Sequence, residues 1–311
     1  MISKSPKVSV CMITYGHEKY ISQAIEGVLI QETDFNIELV IANDASPDKT
    51  HDLINSIINN HPKGYLIKYI NHESNIGMMP NFIYALRACE GDFIAICEGD
   101  DYWTDPLKLQ KQVNFLEANK DYAIHSANAT YLSDDLKKNG LKINNNLEDQ
   151  TFLLQDFLTK NNLFTCTVMF RNLAIEFPES FKKVTFGDWF LYVILLCDSA
   201  MKAYRSIDVY SVYRVHNESV TNSMNRISLY EKHIFQVASI KSYLRIKKFN
   251  KNDTIMLNSY YKKKYAHQLK GEMYLNAFKT FLEHCREDLK SAICISYVKI
   301  LIRNFIPKQI K

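Results

Sequence analysis

Alternating strand and helix patterns in the first hundred residues restrict the fold of this chain more than any other feature. Four short runs have the apolar, β-rich composition of buried strands, and they are residues 7–14, 37–42, 66–70 and 92–97. The intervening residues 21–29, 50–60 and 81–89 repeat apolar side chains at helical spacing. Strands that alternate with helices predict a largely parallel sheet that is covered on both faces.

Polar side chains follow each of these predicted strands. They are Thr14 with Tyr15, Asp44, Asn75 and the acidic stretch of residues 98–101. Ligands of such sheets bind beyond the carboxyl ends of the strands. Because four strand ends deliver polar groups to one edge, we predict a binding site there.

The acidic stretch places Glu98, Asp100 and Asp101 within four positions. Crowded carboxylates are costly unless a cation lies among them. A hard divalent ion takes carboxylate oxygens together with the phosphate oxygens of a substrate. A solvated acidic turn is the alternative, since Gly and Asp are common turn residues. The chain has neither a GxGxxG after the first strand nor a GxxxxGK[ST], so a bound diphosphate would need neutralisation by a metal.

The charge of the chain is unevenly distributed. Residues 231–311 hold 17 Lys and Arg against 6 Asp and Glu, whereas residues 1–230 hold 21 against 28. A basic tail predicts an anionic partner. Its apolar segment 292–306, with spaced basic residues, favours contact with an anionic membrane surface. A helical hairpin packed on the catalytic domain, or on a second copy in a homodimer, is the alternative. Nucleic acid is not expected, because no recognised binding motif accompanies the charge.

Seven cysteines without a CxxC pair indicate reduced, buried thiols. The chain has no run of eighteen consecutive apolar residues, so we expect no spanning helix. The expected location is cytoplasmic. The basic tail suggests, as an alternative, peripheral attachment to the inner face of the cytoplasmic membrane.

The ordered motifs resemble the family 2 glycosyltransferases, which are inverting, nucleotide-sugar-dependent enzymes. The matching segments are residues 8–15, 38–46, 75–77 and 98–103, and the resemblance covers about residues 6–220. It implies an α/β fold, with a glycosyltransferase A-type Rossmann-like mixed sheet flanked by helices. To this we add a basic helical extension. The expected domains are therefore a catalytic domain at 1–225, with a donor half at 1–105 and an acceptor half at 106–225, and a C-terminal extension at 226–311.

The resemblance also implies roles for individual residues. Around the nucleotide sugar it places Thr14, Tyr15, Glu18, Asp44, Asn75, Asp100 and Arg214. It implies a divalent cation, Mg²⁺ or Mn²⁺, held mainly by Asp101 with help from Asp100 and with His216 as a further ligand. Two departures from the family pattern occur. Gly16 stands where Asn is usual, and Glu98 replaces the usual first Asp, so Glu98 is a lesser candidate.

Asp188 precedes a strongly apolar helix pattern that reaches Leu196. A helix cap worth about 1 kcal/mol is one interpretation. In the family, an acid at this place acts as the general base. A sugar hydroxyl is a poor nucleophile until a carboxylate accepts its proton, so we expect Asp188 to be the base. The neighbouring Trp189 is expected in the core rather than on a sugar ring.

The expected activity is inverting transfer of one hexosyl or N-acetylhexosaminyl unit from a nucleotide diphosphate sugar. UDP-sugar is the first choice of donor, a glycan or lipid-linked hydroxyl is the acceptor, and bacterial surface polysaccharide or lipopolysaccharide assembly is the setting. The absence of QxxRW argues against a processive synthase. Two alternatives stay open. A sugar nucleotidyltransferase would carry a Gly- and Arg-rich loop that residues 16–18 do not supply, and the retained aspartates argue against a non-catalytic, membrane-associated binding protein on a degenerate transferase fold.

Overall fold

The computed structural model describes residues 7–133, 139–158, 160–216, 219, 224–247, 254–271, 273–287 and 300, without the side chains of 254–258. The chain forms two compact units. Unit 1 comprises residues 1–177 and 191–216, and unit 2 comprises residues 178–190 and 217–311. The expected domain boundary at residue 225 stays a prediction; in the division by contacts, residues 178–190 group with residues 217–311.

Unit 1 is built on one mixed sheet. Its described strands are β1 (Val8–Thr14), β2 (Ile37–Asn43), β3 (Ile67–Asn71), β4 (Phe93–Ile96), β5 (Tyr102–Trp103), β6 (Tyr122–Ser133), β7 (Gln150–Phe152), β8 (Met169–Arg171) and β9 (Lys202–Val215). Their order is β3-β2-β1-β4-β8-β6-β9-β5, with β7 also paired to β9. The first four strands are parallel, whereas β8 runs antiparallel between β4 and β6. The predicted α/β class with a mixed sheet is confirmed.

Helices follow the predicted periodicity. The described helices are α1 (Ile21–Leu29), α2 (Thr50–Asn60), α3 (Met78–Ala88), α4 (Lys108–Ala118), α5 (Gly187–Ser199), α6 (Arg226–Ile246), α7 (Thr254–Lys270) and α8 (Tyr274–Glu287). In α1 the apolar residues at helical spacing are all buried, as the pattern predicts. A side chain at Gly27 of α1 would place its Cβ 2.8 Å from the backbone nitrogen of Trp103. Only glycine therefore lets α1 lie this close to β5.

The segment 165–171 is only partly extended, although its composition is typical of a strand. Thr165–Thr167 forms a 3-10 helix, and β8 begins at Met169. The reason is a side-chain bridge: the hydroxyl of Thr167 donates to the Ala127 carbonyl at 3.1 Å and accepts from the Ala127 N–H at 3.2 Å. The Thr167 side chain thus replaces backbone pairing at this point.

The polar segment that follows β6 is joined to that strand by hydrogen bonds in the residues that the structure describes beyond 138. Asn128 fixes it, because its side-chain amide donates to the Asn144 carbonyl at 2.6 Å. The Ile143 N–H donates to the Ala129 carbonyl at 2.9 Å. Residues 134–138 lie outside the described part of the chain.

Unit 2 is largely helical, in agreement with the predicted extension. The buried side chain of Gln236 on α6 donates to the Phe186 carbonyl and accepts from its N–H. Helices α7 and α8 share a small core of Tyr265, Leu269 and Ala277. Apart from Ile300, the apolar segment 292–306 lies outside the described residues. Among the helices that are described, none is long and apolar enough to cross a membrane.

Candidate functional site

Three parallel strands end together at one edge of the sheet. Thr14 of β1 lies opposite Asn43 of β2, which lies opposite Asn71 of β3. Asp44 follows directly, and its backbone N–H donates to the Thr14 carbonyl at 3.0 Å. The prediction that β1 and β2 deliver polar groups to a common edge is therefore correct for Thr14 and Asp44.

The carboxylate of Asp44 connects this edge to the loop after β3. Its two oxygens accept the N–H groups of Ile76 and Gly77 at 2.7 and 3.0 Å. Asn75, one residue earlier, accepts the same Gly77 N–H through its side-chain oxygen at 3.0 Å. Asp44 is almost completely buried, whereas Asn75 is exposed. The 75–77 segment is thus held at the strand ends by charge-assisted bonds, which are stronger than neutral ones.

Side-chain caps bind the loop after β1 to the loop after β2. Residues 15–20 form the first loop and residues 44–49 the second. The bonds are Gly16 N–H to Ser46 Oγ (3.0 Å), His17 N–H to Thr50 Oγ1 (3.0 Å), Glu18 N–H to Asp48 Oδ2 (2.9 Å) and Lys49 N–H to Glu18 Oε2 (3.1 Å). Glu18 takes part in two of these bonds, because its N–H donates to Asp48 and its carboxylate accepts the Lys49 N–H. Tyr15, in the same loop, is half exposed. The two loops therefore form one connected surface at the sheet edge.

The acidic turn, residues 98–101, is fixed by the pairing of β5 with β9. Tyr102 lies opposite Val212 in antiparallel register, and this register brings the preceding aspartates beside Arg214. The Arg214 N–H donates to Asp101 Oδ1 at 2.8 Å. Its guanidinium donates to the Asp100 carbonyl at 2.6 Å. The structure therefore brings Arg214 together with Asp100 and Asp101, more than a hundred residues earlier in the sequence.

Asp101 points into the protein. It is 1% exposed, and its Oδ2 has no N–H or O–H partner among the described residues. Burial and the negative charge of Asp100 raise the pKa of Asp101 well above its usual range, against the effect of the Arg214 N–H and the Cys166 thiol. An enclosed carboxyl of this kind acts first as an anchor for the β9 backbone.

Asp100 is the more accessible of the two aspartates. Its side chain is 23% exposed, and its Oδ2 lies 3.1 Å from Nε2 of His216. Burial raises the pKa of Asp100, but the hydrogen bond from His216 and the nearby charges of His17 and His216 hold that pKa below its usual range. Asp100 is therefore an ionised carboxylate with an imidazole partner at the sheet edge. Glu98, in the same turn, is partly buried.

Aromatic rings surround the Arg214 guanidinium. It lies 5.1 Å from the ring centre of Tyr20 and 4.6 Å from that of Tyr102, and it also donates to the Gln23 side chain. The Tyr20 ring is 5.0 Å from the His216 ring. Tyr20, Gln23 and Tyr102 were not predicted as site residues. Tyr20 immediately precedes α1 and Gln23 lies in its first turn, and this spacing of three positions lets both side chains reach Arg214.

Gly99 allows the acidic turn to lie against the end of β1. A Cβ atom at this position would come 2.8 Å from both Thr14 Oγ1 and His17 Nδ1, two atoms that are themselves 3.1 Å apart. The Gly99 N–H donates to the Ile13 carbonyl at 3.1 Å. The absence of a side chain is thus a condition of the site geometry.

The residues of unit 1 fit a divalent ion that arrives with its substrate. Among the described residues, no group of three or more His, Cys, Asp and Glu could enclose a metal. Asp100 and His216 instead offer two neighbouring ligands. Mg²⁺ is commonly held by one or two protein groups together with substrate phosphates, so the pair matches a shared ion better than a permanent structural one.

Asp188 belongs to unit 2. It is the second residue of α5 and is partly exposed, a position where a carboxylate also complements the helix dipole. The following Trp189 and Phe190 are buried. Phe190 packs against Phe181 and Tyr243. Trp189 therefore lies in the core as expected, and the proposed base sits on the first turn of a well-packed helix.

Solved structures identify the class of fold. The S. aureus TarS fragment 1–349 in complex with UDP-GlcNAc superposes with a TM-score of 0.65 at 17% identity, covering 92% of this chain and 81% of that one. A mannosyltransferase from Pyrobaculum calidifontis, in complex with GDP-Man and Mn²⁺, gives a TM-score of 0.52 at 15% identity, covering 99% and 89%. The chain thus has the glycosyltransferase A-type fold that its motifs predict.

The family follows from sequence. The Glycosyl transferase family 2 model matches residues 9–177, more than half of the chain, and the chain therefore belongs to this family. The Escherichia coli enzyme WfaP, a UDP-Glc:α-D-GlcNAc-diphosphoundecaprenol β-1,3-glucosyltransferase, is 27% identical over 244 residues, which cover 77% of this chain and 89% of WfaP. The chain spans about half the length of the uncharacterised mycobacterial relatives that it also matches, at 33% identity.

Proposed function

We propose that this family 2 glycosyltransferase transfers a single sugar, with inversion, from a nucleotide diphosphate sugar to an acceptor hydroxyl. The observation that carries the proposal is the pairing of the partly exposed Asp100 with the buried His216, held beside Arg214 at the carboxyl ends of the parallel strands. The Asp100 carboxylate could bind a metal ion there, and the Arg214 guanidinium beside it could bind the diphosphate of the donor. A UDP-sugar is the first choice of donor, in line with the UDP-GlcNAc complex of the fold relative and with WfaP, a UDP-Glc-dependent transferase.

The donor surface would comprise the connected loops at the sheet edge. We assign Asp44 and the 75–77 segment to the base and ribose, with Thr14, Tyr15 and Glu18 around the nucleotide. Asp44 contributes by fixing the N–H groups of that segment as well as by its own charge. This assignment continues the family resemblance, and the hydrogen bonds of the loops support a preformed surface.

The burial of Asp101 changes the proposed division of labour in the acidic turn. Asp100 and His216 would hold Mg²⁺ or Mn²⁺. The Asp101 carboxylate would instead fix the position of Arg214 by accepting its backbone N–H. When bound, the ion would neutralise the charge of the diphosphate leaving group. Arg214, whose guanidinium lies close to the rings of Tyr20 and Tyr102, would add a fixed positive charge close to that group.

The chemistry needs one proton acceptor. The acceptor oxygen forms a bond to the anomeric carbon as the bond from that carbon to the diphosphate oxygen breaks, and attack from the opposite face inverts the centre. Asp188 would take the proton of the attacking hydroxyl, so the products are the glycoside, the nucleoside diphosphate and a protonated Asp188. A partly exposed carboxylate on a rigid helix start supports this role.

The acceptor and the pathway are inferred from a relative. WfaP acts, by its name, on a diphosphoundecaprenol-linked sugar, and we propose a glycan or lipid-linked hydroxyl here as well, in bacterial surface polysaccharide or lipopolysaccharide assembly. The setting would be the cytoplasmic face of the membrane. The predicted membrane contact of the segment 292–306 falls outside the described residues, apart from Ile300.

A comparison of two adjacent aspartates tests the donor and metal assignments. A panel of nucleotide sugars is first screened by thermal shift, since donor binding stabilises the folded state by mass action. With the best donor and Mn²⁺, Asp100→Asn should lower turnover at least a hundredfold. Asp101→Asn keeps a buried oxygen for the Arg214 N–H and should lower turnover less than tenfold. The reverse ranking, or equal activity in EDTA, would contradict the metal assignment.

A separate substitution tests the base. Asp188→Asn should lower transfer at least a hundredfold while donor affinity stays within threefold of wild type, because the amide cannot accept the proton. Asp198→Asn, an exposed acid near the end of the same helix, is the matched control. Near-full transfer by Asp188→Asn would remove Asp188 from the mechanism. Release of pyrophosphate instead of a nucleoside diphosphate would indicate a nucleotidyltransferase.

A further inference from the structure

Helix α8 of unit 2 carries an apolar stripe that faces away from its own core. The stripe consists of Tyr274, Leu275, Phe278 and Leu282, whose exposed fractions are 50%, 69%, 56% and 42%. Residues three and four apart lie on the same side of a helix, so these four side chains form one continuous surface. At about 100° per residue they span roughly 100° of the helix circumference.

The other side of α8 already has its partner. The Thr280 hydroxyl donates to the Gln268 side chain of α7 at 2.8 Å, and the His284 ring stacks on Tyr261 at 4.8 Å. Ala277 lies in the small core between the two helices. Packing against α7 therefore accounts for one face of α8, and in the described part of unit 2 Leu275, Phe278 and Leu282 on the other face remain largely exposed.

Basic residues border the stripe. Lys279 and Arg286 are exposed and lie roughly 20–40° beyond its edge on a helical projection. The nearest acid on the helix, Glu283, is drawn towards α7, where its carboxylate lies 3.7 Å from the buried Lys264 amine. That amine also pairs with Glu231 at 3.0 Å. The exposed charge next to the stripe is thus positive.

We propose that this face of α8 docks the protein on an anionic lipid surface. An apolar stripe with an aromatic component and a basic border is the pattern of helices that lie in the membrane interface. The excess of 17 basic over 6 acidic residues in 231–311 adds attraction to anionic headgroups. This surface is distinct from the segment 292–306, and the inference does not depend on the proposed sugar transfer.

A second copy of the chain is a less suitable occupant. Four half-exposed side chains of this size offer roughly 500 Å², against about 800 Å² that each partner buries in a typical stable interface. Two identical stripes would also bring the Lys279 and Arg286 charges of both copies together, which is repulsive. A bilayer has neither limitation, since it supplies apolar depth and negative charge at the same time.

Vesicle flotation of the full chain tests the inference. The wild type is mixed with phosphatidylcholine vesicles that contain either no phosphatidylglycerol or about one third of it. We expect flotation with the anionic vesicles that weakens at high salt. The double variant Leu275→Ser with Phe278→Ser should lower the bound fraction at least fivefold, and Lys279→Gln with Arg286→Gln should lower it on anionic vesicles only.

Two controls keep the result interpretable. Tyr65→Ser removes an aromatic ring that is 81% exposed in unit 1, and Ile246→Ser removes a side chain that is 74% exposed on α6. Both should float as the wild type does. All variants change exposed positions, so thermal melting should stay within about 2 °C of wild type. Equal flotation of the Leu275/Phe278 variant and the wild type would overturn the proposal, as would a dimer in light scattering that the same variant dissociates.

Discussion

A buried lysine on α4, beside Trp103, offers a sharp test of the electrostatics of unit 1. Lys108, in the first turn of α4, is completely buried. Its amine donates to Gln112 Oε1 at 2.7 Å and lies 3.8 Å from the centre of the Trp103 ring. Burial lowers the pKa of Lys108 from 10.5 to about 7. The charged form is therefore disfavoured in the folded protein.

The magnitude follows from linkage. A folded pKa near 7 against 10.5 in the unfolded chain corresponds to about 5 kcal/mol of unfavourable free energy when the lysine is charged in both states. Between pH 7 and 10.5 the unfolded chain binds more protons than the folded protein, so this cost declines as the pH rises. The slope approaches about 1.4 kcal/mol per pH unit.

The perturbation is Lys108→Met, which keeps the chain length and removes the titration. Urea unfolding followed by tryptophan fluorescence gives the free energy of unfolding at pH 7, 8 and 9. We expect the wild type to gain about 2–3 kcal/mol relative to the variant over this range. Lys111→Met removes an exposed lysine from the same helix and serves as the matched control.

This reasoning would be refuted if the free energy of unfolding changed with pH in the same way for the wild type and for Lys108→Met. That result would mean that the Gln112 bond and the cation–π contact with Trp103 keep the lysine charged throughout the range. Those two contacts would then be worth about as much as the burial cost, several kcal/mol together, which is more than such contacts usually contribute.

Three further predictions concern close packing and the guanidinium at the site. Gly27→Ala should lower the free energy of unfolding by about 1–3 kcal/mol in urea melts, because its Cβ would meet the Trp103 backbone at 2.8 Å and this outweighs the gain in helix propensity. Gly99→Ala should reduce turnover at least tenfold, because a Cβ 2.8 Å from His17 displaces the acidic turn; unchanged turnover would contradict the fit. Arg214→Lys should lower kcat/KM tenfold or more in donor assays, since an ammonium lacks the planar fork; wild-type kinetics would count against its role.

Apolar periodicity was sufficient to predict the parallel half of the sheet. The strands β1 to β4 are short runs rich in apolar residues, interrupted by Ser9, Glu38 and Lys68. Helix α1 shows its buried face as a regular repeat. These signals are local, so a single sequence contains them. The strand β5 has only two residues, and its partner β9 lies more than a hundred residues later. Neither periodicity nor composition indicates such a pairing.

The division between Asp100 and Asp101 was not predictable for a related reason. Residues 98–101 form a turn that the Asp101 N–H closes on the Glu98 carbonyl at 3.1 Å. The pairing of β5 with β9 directly after this turn places the Asp101 carboxylate against the Arg214 N–H, whereas Asp100 stays partly exposed. The sequence contains the two aspartates but not this long-range pairing. The site residues Tyr20 and Gln23 were missed because their partner Arg214 is distant in sequence.

The bonds between the loops after β1 and β2 make the two loop lengths interdependent. Each bond joins a backbone N–H of one loop to a side chain at the edge of the other, so replacement of one side chain removes one bond, whereas insertion of one residue shifts every later donor out of step with its acceptor. Homologous chains should therefore tolerate substitutions across 15–20 and 44–50 far better than single-residue insertions or deletions. A change of length in one loop should be accompanied by a compensating change in the other.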